Sequence, residues 1–354
     1  MYDTSAPTHP TETLIAGPRG RRFLLEYALA SESTYRPVRD EGSFGFAVAH
    51  AAHALTPRKW RGMPFVGSNA RESKIVDMTV GEVAARLNHV ELHASHASIR
   101  LALALATDRG KYWEHPDGED LLAATPELHR ALRRVAVYIT ASGLTSWWYT
   151  PIAKGRQQVV TWNGVFPPLP RENRSIVPQV NAMQRGLDFP STPRPVPSST
   201  RSLADGSPAG LWFVEDNLGQ TRAESTGLIA PDEAQVFEIT SSADWAELCV
   251  RYPLEVTQTG GAGASRSVVR DAANRVLVPD WLRVADQYQG VHLQVGAYLA
   301  ASALPIDTGS ALSIMTGWDP DETIWLSPEV SYSGERTQWA LKEDGFNMVW
   351  AKSS

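Results

Sequence analysis

An arginine in Ser198–Ser202, the run Gly210–Phe213 and an acid in Asp319–Thr323 are three pieces from which a site for breaking an N-glycosidic bond in a dinucleotide could be made. An arginine at a strand end, as in Ser198-Ser199-Thr200-Arg201-Ser202, can hold phosphate or ribose through charge-assisted hydrogen bonds. The run Gly210-Leu211-Trp212-Phe213 can support a nicotinamide pocket, with Tyr298 as a further wall. A late carboxylate, Glu322 in Asp319-Pro320-Asp321-Glu322-Thr323, can bind a ribose hydroxyl and stabilise an oxocarbenium-like transition state. The same acidic stretch also reads as a plain turn, because Asp and Pro are turn residues. Its three acids fall short of a calcium-loop pattern.

Two further groupings have chemical content. His89, His93 and His96 follow i, i+4, i+7 spacing and would share one helix face, either as transition-metal ligands or as a polar flank. Trp147-Trp148-Tyr149, with Trp162 beyond it, is either core packing or the wall of a ligand cleft. Neither a Walker A sequence nor G-x-G-x-x-G or G-x-S-x-G is present, which argues against P-loop, dinucleotide-binding Rossmann and α/β-hydrolase sites. The single cysteine, Cys249, excludes an internal disulfide and a Cys-based zinc site. It lies in the apolar pattern Trp245-Ala246-Glu247-Leu248-Cys249-Val250 and reads as a buried structural thiol.

The elements that would position these residues divide the chain. Residues 1–12 read as a loose tail, and Arg19, Arg21 and Arg22 as a solvated loop. Phe23–Leu29 is helix or strand, and Phe44–Leu55 is helix. Val83, Leu87, Val90, Ala94, Ala97 and Leu101 form one apolar stripe along a helix of about 28 residues. A Thr79/Glu82 capping box begins it and Gly110 ends it. Pro126–Thr140 repeats the pattern through Leu128, Leu132, Val135 and Ile139. Residues 13–162 therefore read as a mainly helical domain. The nine prolines between Val165 and Pro208 disfavour helix and central strand, so 163–208 reads as an extended connector.

Residues 209–354 read as an α+β domain with a small, largely antiparallel sheet, and as the catalytic part. Strands are expected at Gly210–Val214, Gln235–Ile239, Gly290–Leu293, Leu312–Ile314 and Thr323–Leu326. Helices are expected from Trp245 to Arg251, capped by Asp244, and after the N-cap Asp280. Residues 297–303 are a short helix or strand, and Gly260–Ala264 a flexible loop.

Composition narrows the function classes. The 354 residues suggest about two domains, and 43% hydrophobic content allows a sizeable core. A net charge of −6 gives no indication of a nucleic-acid partner. The N-terminus has no signal-peptide pattern, and no run of 18 apolar residues occurs, so a cytoplasmic protein without a membrane partner is expected.

Several stretches carry a resemblance. Lys111–Leu122, Trp147-Trp148, Tyr252–Thr257, Pro279-Asp280-Trp281, Gly290–Leu293 and Gly317–Leu326 resemble a family of uncharacterised proteins common in actinobacteria, over most of residues 15–326. That resemblance implies one shared architecture and a bacterial cytosolic origin. More loosely, residues 196–326 are similar to the ADP-ribosyltransferase-like fold, in which an Arg or His, a small or aromatic segment and a late Glu surround NAD. On that likeness the catalytic residues are Arg201 and Glu322, and Gly210, Trp212 and Tyr298 bind the NAD substrate, a small-molecule nucleotide with an undefined acceptor. The expected activity is ADP-ribosyl transfer or NAD glycohydrolysis. The alternatives are a binding or assembly module with a Trp-rich partner surface, and a metalloenzyme using His89 and His93.

Overall fold

The computed structural model describes residues 9–33, 40–57, 76–110, 114–162, 164–167, 191–193, 196–215, 218–256, 275–344 and 347–353. Gly260–Ala264 and most of the proline-rich stretch lie outside them. The architecture is α+β. The chain separates into a unit of Pro7–Ala106 with His115–Ser146 and a unit of Thr107–Glu114 with Trp147–Ser354. The division falls before Trp147, so the first strand belongs with the sheet and not with the helices.

The helical unit contains α1 (Pro10–Ala16), α2 (Pro18–Ser33), α3 (Phe44–Leu55), α4 (Val80–His89), α5 (His96–Asp108), α6 (Gly118–Ala123) and α7 (Pro126–Ala141). The start of α1 replaces the end of the expected tail, with His9 Nδ1 accepting from the Thr11 N–H at its cap. In α7 the 3.6-residue period holds: Leu128, Leu132, Val135 and Ile139 are all buried. The Thr79/Glu82 capping box is present in both directions. The long helix it begins, however, is two helices. Arg134 of α7 donates to the carbonyls of Leu87, in the last turn of α4, and of Val90, its C-cap. Ser95 then accepts from the Ser98 N–H and starts α5 afresh.

This break dismantles the histidine stripe. His89 closes α4, His93 lies between the helices and His96 opens α5. His89 Nδ1 sits 2.8 Å from the Ala85 carbonyl. Among the described residues no group of three or more His, Cys, Asp or Glu could hold a metal ion.

The arginine cluster is not a loop. It lies in α2, and Arg22 is 1% exposed. Its guanidinium meets Glu26 at 2.8 Å, Asp117 at 2.9 Å and Asp120 at 3.0 Å, and also pairs with Glu119. Burial works against the charge on Arg22, but the four carboxylates outweigh it and raise its pKa. Close packing adds to this join. Gly118 opens α6 so near α3 that a Cβ would lie 2.1 Å from the Ala52 carbonyl oxygen. Gly118→Ala is expected to lower the stability of the helical unit by about 1–3 kcal/mol. A fall in the urea midpoint would register it; an unchanged midpoint would show that α3 and α6 can separate freely.

The second unit is built on an eight-stranded sheet. Its strands are β1 (Gln157–Thr161), β2 (Ser198–Arg201), β3 (Arg222–Ile229), β4 (Val236–Ile239), β7 (Gly290–Leu293), β10 (Thr323–Trp325), β11 (Ser331–Asp344) and β12 (Asn347–Lys352). Their order is β12-β11-β3-β1-β2-β10-β7-β4, antiparallel throughout except for the parallel pair β4/β7. A four-stranded sheet holds β5 (Pro253–Val256), β6 (Val276–Pro279), β9 (Leu312–Ile314) and β8 (Pro305–Asp307) in that order. The helices are α8 (Ser242–Arg251), α9 (Trp281–Ala285) and α10 (Val295–Ala301).

Three expectations change here. The proline-rich connector contains β2, a strand in the sheet interior between β1 and β10. Gly210 does not begin a strand: Ala209–Leu211 is a 3-10 turn. Asp244 lies inside the first turn of α8, where its carboxylate accepts from the Thr240 N–H. Asp280 does cap α9.

Apolar packing explains where the tryptophans went. Trp245, Trp281 and Trp318 form a triangle of rings 6.1–6.5 Å apart, all fully buried. Trp325 packs with Val159, Leu228 and Val330. None of the described tryptophans is fully exposed; Trp147, Trp162 and Trp212 are half-buried and the others buried. Cys249 is also core: burial pushes its thiol up to about 12, and Sγ lies 3.3 Å from Ser313 Oγ. Among the described residues no helix is long and apolar enough to cross a membrane.

Candidate active site

Strand register brings four charged side chains into one line. Thr323 of β10 stands opposite Ser199 of β2 and His292 of β7, and His292 stands opposite Glu238 of β4. Side chains alternate faces along a strand, so these residues share a face, and Arg201, two residues beyond Ser199, joins them. From β2 to β4 is three strand spacings, about 14 Å.

Asp321 links the two halves of the line. It follows Pro320 in the turn before β10, with a left-handed φ of 64° that Asp tolerates better than most residues. Its Oδ2 accepts the Arg201 backbone N–H at 2.8 Å, and its Oδ1 accepts the Arg201 Nε–H at 2.6 Å. The same Oδ1 lies 3.4 Å from His292 Nε2. On the other side of the ring, Nδ1 is 2.7 Å from Glu238 Oε2. The series is thus Arg201, Asp321, His292, Glu238, with alternating sign when the imidazole is protonated. Burial opposes that proton, but the Asp321 and Glu238 carboxylates overcome the penalty and raise the His292 pKa above its ordinary value.

Access differs along the series. The His292 and Asp321 side chains are 1% and 2% exposed, whereas Arg201 is 12% and Glu238 23% exposed. The two ends are therefore the more exposed groups of the line. At one end, Nη1 of Arg201 donates to Thr150 Oγ1 at 3.2 Å, Nη2 to the Pro151 carbonyl at 3.5 Å, and the guanidinium lies 4.7 Å from the centre of the Trp147 ring. At the other, Glu238 Oε1 accepts the Ile152 N–H at 2.9 Å. Between them Thr323 Oγ1 is fully buried and makes no hydrogen bond to the described residues.

The residues singled out from sequence fall in two places. Arg201 is in this line. Glu322 is 3% exposed, and its carboxylate turns back to accept the Asp319 N–H at 3.1 Å. Its neighbour Asp321 meets Arg201 instead. Tyr298 is fully buried in α10 and donates to Glu215 Oε1, while the Glu215 N–H donates to Asp319 Oδ1. Tyr298 and Glu322 thus both brace the Asp319 turn. The Gly210 N–H donates to Thr200 Oγ1. Trp212 donates to Ser207 and packs beside Leu211, Trp339 and Trp350. Sequence reasoning missed His292 and Glu238. The signal was there in Gly290–Leu293, where one histidine interrupts an otherwise apolar strand. Comparison with models of known families, with curated proteins and with solved structures yields no match for this chain.

Proposed function

We propose that the sheet unit is an enzyme that cleaves the N-glycosidic bond of NAD, with Arg201 as the anion holder and Glu238 as the working carboxylate. One observation carries the reading. Arg201 is fixed through Nε and its backbone N–H by Asp321, while among the described residues its terminal Nη edge meets two neutral acceptors, at 3.2 and 3.5 Å. Such an edge is oriented for a diphosphate, whose charged oxygens make hydrogen bonds about twice as strong as neutral ones. Trp147, stacked on that guanidinium, replaces Trp212 as the aromatic wall.

Glu238 is the most exposed acid in the line, and His292 and Ile152 orient it. In the reaction the bond from C1′ to nitrogen breaks with its electron pair going to nicotinamide, which leaves neutral. Glu238 stabilises the positive charge that develops on the ribose. Water then bonds to C1′ and gives its proton to Glu238. An acceptor hydroxyl or amine in place of water converts hydrolysis into ADP-ribosyl transfer.

Incubation with NAD is expected to release nicotinamide. Glu238→Gln is expected to lower kcat about 10²–10³-fold with little change in KM. Arg201→Lys, which loses the planar fork, is expected to raise KM. No release from the wild-type protein, or undiminished kcat in Glu238→Gln, would overturn the proposal. Glu322→Gln is the control, because Glu322 holds a turn.

A further inference from the structure

Both ends of the line are occupied by one stretch of the chain. Trp147 lies on the Arg201 guanidinium, Thr150 and Pro151 accept from its two terminal nitrogens, and the Ile152 N–H covers Glu238 Oε1. The stretch is anchored on either side of residues 150–152. Just before Thr150, the Tyr149 ring packs so closely on Gly296 that a Cβ there would lie 2.3 Å from Cε1. After them, Lys154 Nζ donates to the Asp232 and Ala234 carbonyls at 2.7 Å each. Between the anchors Thr150 and Pro151 are exposed.

We infer that Thr150–Ile152 is an autoinhibitory strap, whose hydroxyl and carbonyl stand in for the oxygens of an anionic ligand and must leave Arg201 before that ligand binds. The inference rests on the reading of Arg201 as an anion holder. The exchange at Arg201 favours the ligand, since neutral acceptors at long range give way to charged ones. Because residues 150, 151 and 152 are consecutive, leaving Arg201 also draws the Ile152 N–H from Glu238 and frees Oε1. Anion binding at one end thereby uncovers the carboxylate at the other. Ligand binding and strap release are a single equilibrium, shifted by the difference in affinity between the two states.

Hydrogen exchange over residues 147–156, with ADP-ribose as the probe, tests this. The Ile152 N–H is expected to exchange faster when ADP-ribose is bound, the opposite of ordinary ligand protection. Thr150→Val removes the hydroxyl acceptor but keeps the shape, and is expected to bind ADP-ribose roughly five-fold more tightly, the net worth of about one hydrogen bond. Binding by Thr150→Val but not by the wild-type protein also supports the strap. ADP-ribose bound with Ile152 exchange unchanged or slowed overturns the strap and leaves Arg201 as an anion holder. Binding by neither protein overturns both.

Discussion

Arg22→Met is expected to destabilise the helical unit by about 3–5 kcal/mol. Methionine occupies a similar volume, so the loss does not come from a cavity. It comes from the acids left behind. Glu26 is 8% exposed, and the Asp120 side chain is 14% exposed. Asp117 and Glu119, with side chains 43% and 27% exposed, are partly screened by water and contribute less. Three of the four acids lie in 117–120, at the start of α6, so the arginine also joins α2 to α6. Arg22→Lys is expected to fall between wild type and methionine, because an ammonium cannot present the guanidinium fork to several carboxylates. Equilibrium denaturation of each variant measures these differences. Arg133→Met is the comparison: its pair with Glu12 has side chains 49% and 46% exposed and is worth at most about 1 kcal/mol. A loss in Arg22→Met no larger than in Arg133→Met would show that the buried charge is not what holds these helices. Adding Glu26→Gln to Arg22→Met should restore part of the loss, since it removes an uncompensated buried anion.

What sequence reveals about this chain divides along the range of the interactions. The Thr79 and Asp280 caps, the α7 stripe and strands β4 and β7 are local, and each is legible from a few consecutive residues. The break between α4 and α5 is not. The apolar stripe runs on through Val90, Ala94 and Ala97, while the signal that ends α4 is Arg134, 44 residues beyond Val90. The proline count hid β2 for a related reason. Pro197 stands just before the strand and offers only its carbonyl, which accepts the Trp325 backbone N–H at 2.9 Å. Proline costs nothing where no N–H is needed.

At the site, Arg201 meets Asp321 of the acidic turn and not its neighbour Glu322. Asp321 has a left-handed φ, and no pattern of residue types specifies that angle. Glu238 and His292 come from strands whose register fixes their meeting, and register belongs to the folded sheet.

The buried imidazole gives the second large effect. His292→Gln is expected to cost about 3–5 kcal/mol near pH 6, because it leaves Asp321 and Glu238 without the cation between them. The cost should depend on pH in a definite direction. The folded-state pKa of His292 is raised, so the folded protein holds this proton more tightly than the unfolded chain does. The stabilisation is therefore complete below the unfolded value near 6.5, and is lost as pH rises through the folded value. The groups facing the ring are Glu238 on β4 and Asp321 before β10, with Arg201 of β2 beyond Asp321. Glutamine can keep hydrogen bonds to both acids but carries no charge at any pH. The stability difference between wild type and His292→Gln should consequently shrink from pH 6 to pH 9. Denaturation series at the two pH values measure it directly, and ring-proton titration by NMR reports the pKa independently. An equal difference at both pH values would mean that neutral histidine serves as well as imidazolium. His292 would then hold Asp321 and Glu238 by hydrogen bonds alone, with the Arg201–Asp321 ion pair as the line's remaining charge pair.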